Sequence, residues 1–204
     1  ARLKFLLKDL GLDGFKALLE EEQLAIPVKT FPIDASVYPQ PKVAEVVVPN
    51  VEIKDQKAFE KWKTTNIIRQ KQKGYVAIGI KVLLGDFYLK EARALADLVE
   101  KFAASEIRLS LRQNIIIPFV KEELVPFFYT ELEKLGFTEA GYNKAIDITA
   151  CPGTDTCNLG IASSTGIAAE LERVMKEEYP DYINNPDVVI KISGCMNACG
   201  QHNM

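Results

Sequence analysis

The sequence predicts an α+β protein: a split α/β sandwich with helices over one face of a sheet, a helical hairpin before it and a cysteine-bearing α/β segment after it. Three observations predict this. Apolar residues recur at helical spacing near the amino terminus and again over 89–102 and 122–135. Short apolar or β-branched runs bounded by polar turns lie among those helices. All four cysteines fall beyond residue 150, in two pairs that each follow an apolar run.

In chain order, Leu3, Phe5, Leu6, Leu7 and Leu10 share a helix face, Gly11 stops it, and a second amphipathic stretch runs through Phe15, Leu18 and Leu19 to about Gln23. We assign residues 1–24 to this helical hairpin. Pro27, Pro32, Pro39, Pro41 and Pro49 then break up short β-branched runs, so residues 25–62 read as an extended linker. Residues 63–138 follow as the sandwich, a ferredoxin-like arrangement. Its expected elements are strands at 64–70 and 75–83, a helix at 89–102 with Ala92, Leu95, Leu98, Val99 and Phe102 inward, strands at 107–111 and 114–119, and a helix at 122–135 closed by Gly136. Residues 139–204 form the last segment, with a strand at 147–150 running into Cys151, a helix at 159–178 and a buried-type strand at 188–192 running into Cys195.

Composition excludes several functions. With 48% hydrophobic residues among 204, the chain can bury a core without disulfides. A net charge of −3 and no Lys/Arg block give no field for nucleic acid. No apolar run is long enough for a membrane span, and Ala1-Arg2-Leu3-Lys4 lacks a signal-peptide layout, so no membrane partner and a cytoplasmic location are expected. The missing initiator Met and the stop at Met204, directly after a motif, lead us to expect a piece of a longer protein.

The chemistry is concentrated in Cys151-x5-Cys157 and Cys195-x3-Cys199. Four thiolates drawn from two loops suit a cubane 4Fe-4S cluster. Backbone N–H groups at Gly153, Gly160, Ala198 and Gly200 are expected to bond the sulfurs, and a helix starting near Asn158 to point its positive end at them. Disulfides are disfavoured in a reducing compartment. Structural zinc is the open alternative, a four-cysteine binding module without catalysis, although its cysteine pairs usually stand about two to four residues apart.

The words around the cysteines, Thr149-Ala-Cys-Pro-Gly-Thr-Asp-Thr-Cys-Asn-Leu-Gly160 and Lys191-Ile-Ser-Gly-Cys-Met-Asn-Ala-Cys-Gly200, resemble the paired cluster motifs of the siroheme-dependent sulfite and nitrite reductase family. Residues 75–119 resemble the ferredoxin-like half-domain that precedes the cluster domain there, and residues 2–22 the tail of a preceding domain. The resemblance is weakest over 25–62. It implies the second of two pseudo-symmetric repeats, with siroheme between them and the first repeat of the same chain as partner. It also implies that Cys151, Cys157, Cys195 and Cys199 ligate the cluster, that Cys199 bridges to the siroheme iron, and that ferredoxin or a flavoprotein supplies electrons for six-electron reduction of sulfite to sulfide or nitrite to ammonia.

An oxyanion reduced on iron needs cations around it. Arg108 and Arg112 alternate with Ile107, Leu109 and Leu111, so both are expected on the outer face of one strand, where they bind siroheme carboxylates, meet solvent or contact the substrate. His202 is near Cys199 in sequence and is expected to be solvated or to have a polar role near the cofactor. Trp62, Phe127, Phe128 and Tyr129 read as packing residues, with docking of a redox partner as the other role. A free-standing ferredoxin-like electron carrier is a third reading of the whole chain.

Overall fold

The structure, a computed structural model, describes residues 3–26, 43 and 45–201. Residues 1–40 and 41–204 are separate units. In the first, α1 (Leu3–Ala25) is interrupted at Gly11, whose φ of 68° is non-helical, so a helical segment stands on each side of the expected stop. Pro27, Pro32, Pro39 and Pro41 of the expected linker lie outside the described residues.

The second unit opens with a helix where a linker and a strand were expected. Helix α2 (Gln56–Asn66) takes residues from both, leaving only β1 (Ile67–Arg69) of the strand. Its composition is polar apart from Ala58, Phe59 and Trp62, and its buried stripe is Phe59, Trp62 and the hydrogen-bonded Asn66. Asp55 caps it by accepting the Ala58 N–H at 2.9 Å. Trp62 is 1% exposed and meets Tyr129 edge-on with ring centroids 5.1 Å apart. Phe127 and Phe128 are buried in the same core, so these aromatics pack and leave no surface for a redox partner.

Strands β1, β2 (Tyr75–Ile80), β3 (Arg108–Leu109) and β4 (Ile115–Lys121) make an antiparallel sheet in the order β1-β2-β4-β3. Helices α3 (Leu89–Phe102) and α4 (Val125–Lys134) contribute Leu95, Leu98, Val99, Phe128 and Leu132 to the core that the sheet completes with Ile78, Ile80 and Ile117. The expected α+β class and split sandwich are therefore present. The β2–β4 register shifts between Val76 and Ile78. There Phe119 has φ 57° and gives its N–H to Gln70 Oε1 at 2.7 Å, as suits a bulge beside Pro118.

The strand expected at 107–111 is largely absent. Only Arg108 and Leu109 pair, with Ile116 and Ile115, and the chain turns at once through Gln113 at φ 64°. The inward–outward alternation consequently fails: Leu109 is 81% and Leu111 75% exposed.

A smaller core of Ala145, Ile146, Ile148, Ala150, Ala168 and Met175 follows. It lies beneath α5 (Ser164–Glu178), against the parallel pair β5 (Thr149–Ala150) and β6 (Lys191–Ile192). The helix expected from 159 begins at Ser164, because residues 153–162 are used in bonds within their own loop and to Gly194, and Ser163 supplies the cap, accepting the Gly166 N–H at 3.2 Å.

Polar groups join the two cores. Lys81, at the end of β2, places its 2%-exposed side chain on Glu172 of α5 at 2.8 Å and on Glu139 at 3.1 Å. Lys176 closes a ring of alternating charge, 2.6 Å from Glu139 and 2.8 Å from Glu172. Burial pushes the Glu139 carboxyl up, but Lys81 and Lys176 outweigh it and the net direction is down. Nearby, Asn114 donates to both Asp147 oxygens at 2.9 and 2.7 Å, and Asn143 adds its N–H at 2.8 Å. Burial still holds the Asp147 carboxyl above its ordinary value.

Candidate metal centre

Both cysteine loops leave the same end of β5 and β6. The strands are parallel, with Thr149 opposite Lys191 and Ala150 opposite Ile192, so the chain enters Cys151 and then, on the neighbouring strand, the Ser193–Cys195 turn side by side. The carboxyl ends of parallel strands are where open α/β sheets place ligands. Cys151 N–H continues the ladder to Ile192 O at 3.1 Å.

Beyond the strands the loops are knitted backbone to backbone. Ile161 and Ala162 both donate to Gly194 O, at 2.9 and 3.1 Å, and Thr154 donates to Ala162 O at 3.2 Å. The close approach needs glycine. A Cβ on Gly194 would stand 2.6 Å from Ala162 O, and one on Gly153, at φ 55°, would stand 2.5 Å from the same oxygen.

The four thiols are free and graded in exposure: Cys151 is buried, Cys157 and Cys195 half-buried, and Cys199 exposed. Among the described residues no three His, Cys, Asp or Glu side chains are gathered closely enough to hold one metal ion. Zinc needs its thiolates about 2.3 Å from a single point. A cubane differs in presenting four separate irons to four thiolates.

Cys151 is the most elaborated of the four. Its Sγ receives the Gly194 N–H at 3.2 Å and lies 3.2 Å from Ser164 Oγ, while the Ser164 hydroxyl also donates to Cys151 O at 2.6 Å. Burial pushes this thiol up, but the bonds from Gly194, Ser164, and the backbone of Gly153 and Cys151 itself prevail and lower it. Two of the expected backbone donors are committed elsewhere: Gly160 N–H bonds Cys157 O and Gly200 N–H bonds Ser193 Oγ, both at 2.9 Å. Gly194 and Ser164 had no such expectation. The later helix start places Ser164, on the first turn of α5, against Cys151.

From the sandwich, Gln113 reaches the residue before Cys151, donating to Ala150 O at 2.7 Å and accepting Ala150 N–H at 3.1 Å. The neighbouring arginines part company, contrary to the shared face expected of them. Arg108 is exposed and paired with Glu106 at 2.6 Å. Arg112 is half-buried, and its Nη1 is buried with no hydrogen-bond partner among the described residues. His202 lies outside the described residues.

Comparison with known proteins agrees with this architecture. Residues 68–135 match the nitrite/sulfite reductase ferredoxin-like half domain. The chain is 26% identical over 203 residues to a sulfite reductase (ferredoxin) of Mycobacterium tuberculosis, covering 98% of this chain and 33% of that protein. It is 24% identical to the chloroplastic ferredoxin–nitrite reductase of Spinacia oleracea, over 98% of this chain and 30% of the relative. The solved structure of the Mycobacterium tuberculosis NirA protein superposes with a TM-score of 0.66 at 26% identity, again over 98% of this chain and 33% of that one. The chain thus spans about a third of the length of these relatives.

Proposed function

Given that the chain belongs to the nitrite/sulfite reductase family, through the ferredoxin-like half domain at residues 68–135, we propose that it supplies the cluster-holding part of a siroheme and 4Fe-4S enzyme reducing sulfite to sulfide or nitrite to ammonia. The observation that carries this reading is the pair of cysteine loops leaving one end of β5 and β6 and bonded to each other through Gly194. In it, Cys151, Cys157, Cys195 and Cys199 would hold the cluster, and Cys199, the most exposed thiol, would also serve siroheme. Cluster and siroheme together supply a one-electron path to a substrate-binding iron. Ferredoxin, which appears in the names of both relatives, is the electron donor in this reading, with a flavoprotein as the other class.

The chain's own residues have distinct tasks. Gly153 and Gly194 let the loops touch, Gln113 fixes the approach of Cys151, and Gly194 N–H donates to its sulfur. Arg112 suits a siroheme carboxylate, because its buried, unpartnered Nη1 is a donor in need of an acceptor. Arg108 can serve there only by exchanging Glu106 for a cofactor carboxylate, an inexpensive exchange for an exposed pair. The first repeat of a longer chain is the expected partner that completes the siroheme pocket. Among the described residues no helix is long and apolar enough to cross a membrane. A reducing compartment such as the cytoplasm keeps the thiols free.

The isolated piece, without a first repeat, is expected to be inactive, so the test is turnover of sulfite and of nitrite by the whole parent protein, prepared anaerobically, with a chemically reduced ferredoxin. Sulfide or ammonia formation supports the reading. A four-cysteine zinc module would instead yield zinc on metal analysis and no turnover.

A further inference from the structure

We infer that Ser164 tunes the reduction potential of the cluster by donating a hydrogen bond to the sulfur of Cys151; the inference rests on the proposed cluster ligation. The serine is fully buried on the first turn of α5, with Oγ between two acceptors on one residue: Cys151 O at 2.6 Å and Cys151 Sγ at 3.2 Å. A hydroxyl has one proton and two lone pairs. Against a thiol the chain can run from Sγ–H to Oγ and from Oγ–H to the carbonyl. An iron-bound thiolate carries no proton, so its sulfur would then face only lone pairs of Oγ. Turning Oγ–H onto the sulfur removes that repulsion and creates a charge-assisted bond.

The surroundings favour the turned state. The sulfur is buried and already receives one donor, Gly194 N–H at 3.2 Å, so Ser164 becomes the second, in a site with little water to replace it. Oγ has no room to withdraw, because it packs against Gly153, where even a Cβ would collide with it. Hydrogen bonds to cluster sulfurs are among the determinants of cluster potential. One-electron reduction by the donor of the proposed function adds negative charge at the thiolates, while the Ser164 proton stays on its oxygen. A donor that strengthens as this charge grows stabilises the reduced form and raises the potential. Ser164 is thus a positioning and tuning residue acting through Cys151.

The test compares the full protein with Ser164→Ala, each reconstituted anaerobically with iron and sulfide and titrated potentiometrically under electron paramagnetic resonance. Ser164→Ala should make the cluster about tenfold harder to reduce, a fall of about 59 mV for a one-electron couple. A proton coupling to the reduced cluster that disappears on exchange into D2O should be present in the wild type beside that of the Gly194 N–H, and absent from the variant. Thr165→Ala, which removes the next hydroxyl along, bonded to Asp155 rather than to sulfur, should leave both unchanged. An unchanged potential in a cluster-loaded Ser164→Ala overturns the inference alone. Loss of the cluster from that variant, with circular dichroism unaltered, assigns Ser164 a purely structural role and overturns it too. A wild type that takes up no cluster overturns the proposed function and this inference with it.

Discussion

The sandwich and the cysteine-loop segment are held by different physics within one compact unit. In the sandwich, a sheet and three helices enclose large side chains, with Trp62, Phe128, Ile78 and Ile117 almost completely buried. The loop segment encloses a small core of Ala, Ile and Met residues, and beyond it the chain is fixed by backbone hydrogen bonds between loops and by glycines that permit them. On the proposed reading this region receives a bulky cofactor, and it is accordingly not filled with its own side chains. The difference teaches where each kind of substitution acts: truncations in the sandwich affect global stability, whereas additions of a single carbon in the loops affect the site.

Trp62→Ala gives the largest expected loss on the sandwich side, about 3–5 kcal/mol in denaturant unfolding, since the indole meets Phe59 and Tyr129 in a closed core. Lys81→Ala attacks the seam between the regions. It leaves Glu172 buried with only Lys176 opposite, and should cost about 3–5 kcal/mol, with hydrogen exchange rising in α5 before the sheet. Met175→Ala, in the smaller core and 8% exposed, should cost less, about 2 kcal/mol, and the comparison fails if it costs more than Trp62→Ala.

Gly194→Ala places a carbon 2.6 Å from Ala162 O and should cost about 1–3 kcal/mol while abolishing cluster uptake, because the two loops must part. Gln113→Ala, which removes both bonds to Ala150, should cost about 1–2 kcal/mol and speed exchange of the Ala150 and Cys151 amides without changing the sheet. The smallest effect is electrostatic. Glu139 has its pKa lowered in the fold, so its contribution is complete above the ordinary carboxylate pKa and disappears as pH falls through the lowered value. The stability difference between wild type and Glu139→Gln should accordingly be no more than about 1 kcal/mol at neutral pH, given the partial exposure of the carboxyl, and should vanish in acid.

Much of the sandwich was legible because period and punctuation agree there: Leu95, Leu98 and Val99 repeat at helical spacing, and Gly74 and Gly136 stand where turns are needed. Helix α2 was hidden by its polarity, with three inward residues among eleven, although Asp55 three residues before Ala58 and the Phe59–Trp62–Asn66 spacing were signals of a capped helix. The short strand at Arg108 misled for the opposite reason. Its alternation resembled a half-buried strand, but it sits at a sheet edge with Leu109 uncovered, and no local pattern encodes what a neighbouring segment will cover.

At the candidate site, the cysteines and their loops were visible as words in the sequence, because thiols are scarce and paired spacing is informative. Ser164, Gly194 and Gln113 were not. Gly194 meets Cys151 only after the β5–β6 pairing sets two distant loops side by side, Ser164 only after the loop that follows Cys151 folds back on it, and Gln113 reaches Ala150 from the sandwich across 37 residues of chain. The buried donor on Arg112 is similarly a product of tertiary packing, which separates it from Arg108 despite their adjacency on paper.

The central claim, that the two glycine-knit loops hold a cubane cluster, is tested most directly by iron, sulfide and zinc analysis of the anaerobically reconstituted protein beside its Cys151→Ser and Cys195→Ser variants. The account predicts about four irons and four sulfides per chain in the wild type, with a reduced-state paramagnetic signal, and loss of both in either variant. About one zinc per chain with no sulfide, or iron retained in full by both variants, would contradict it.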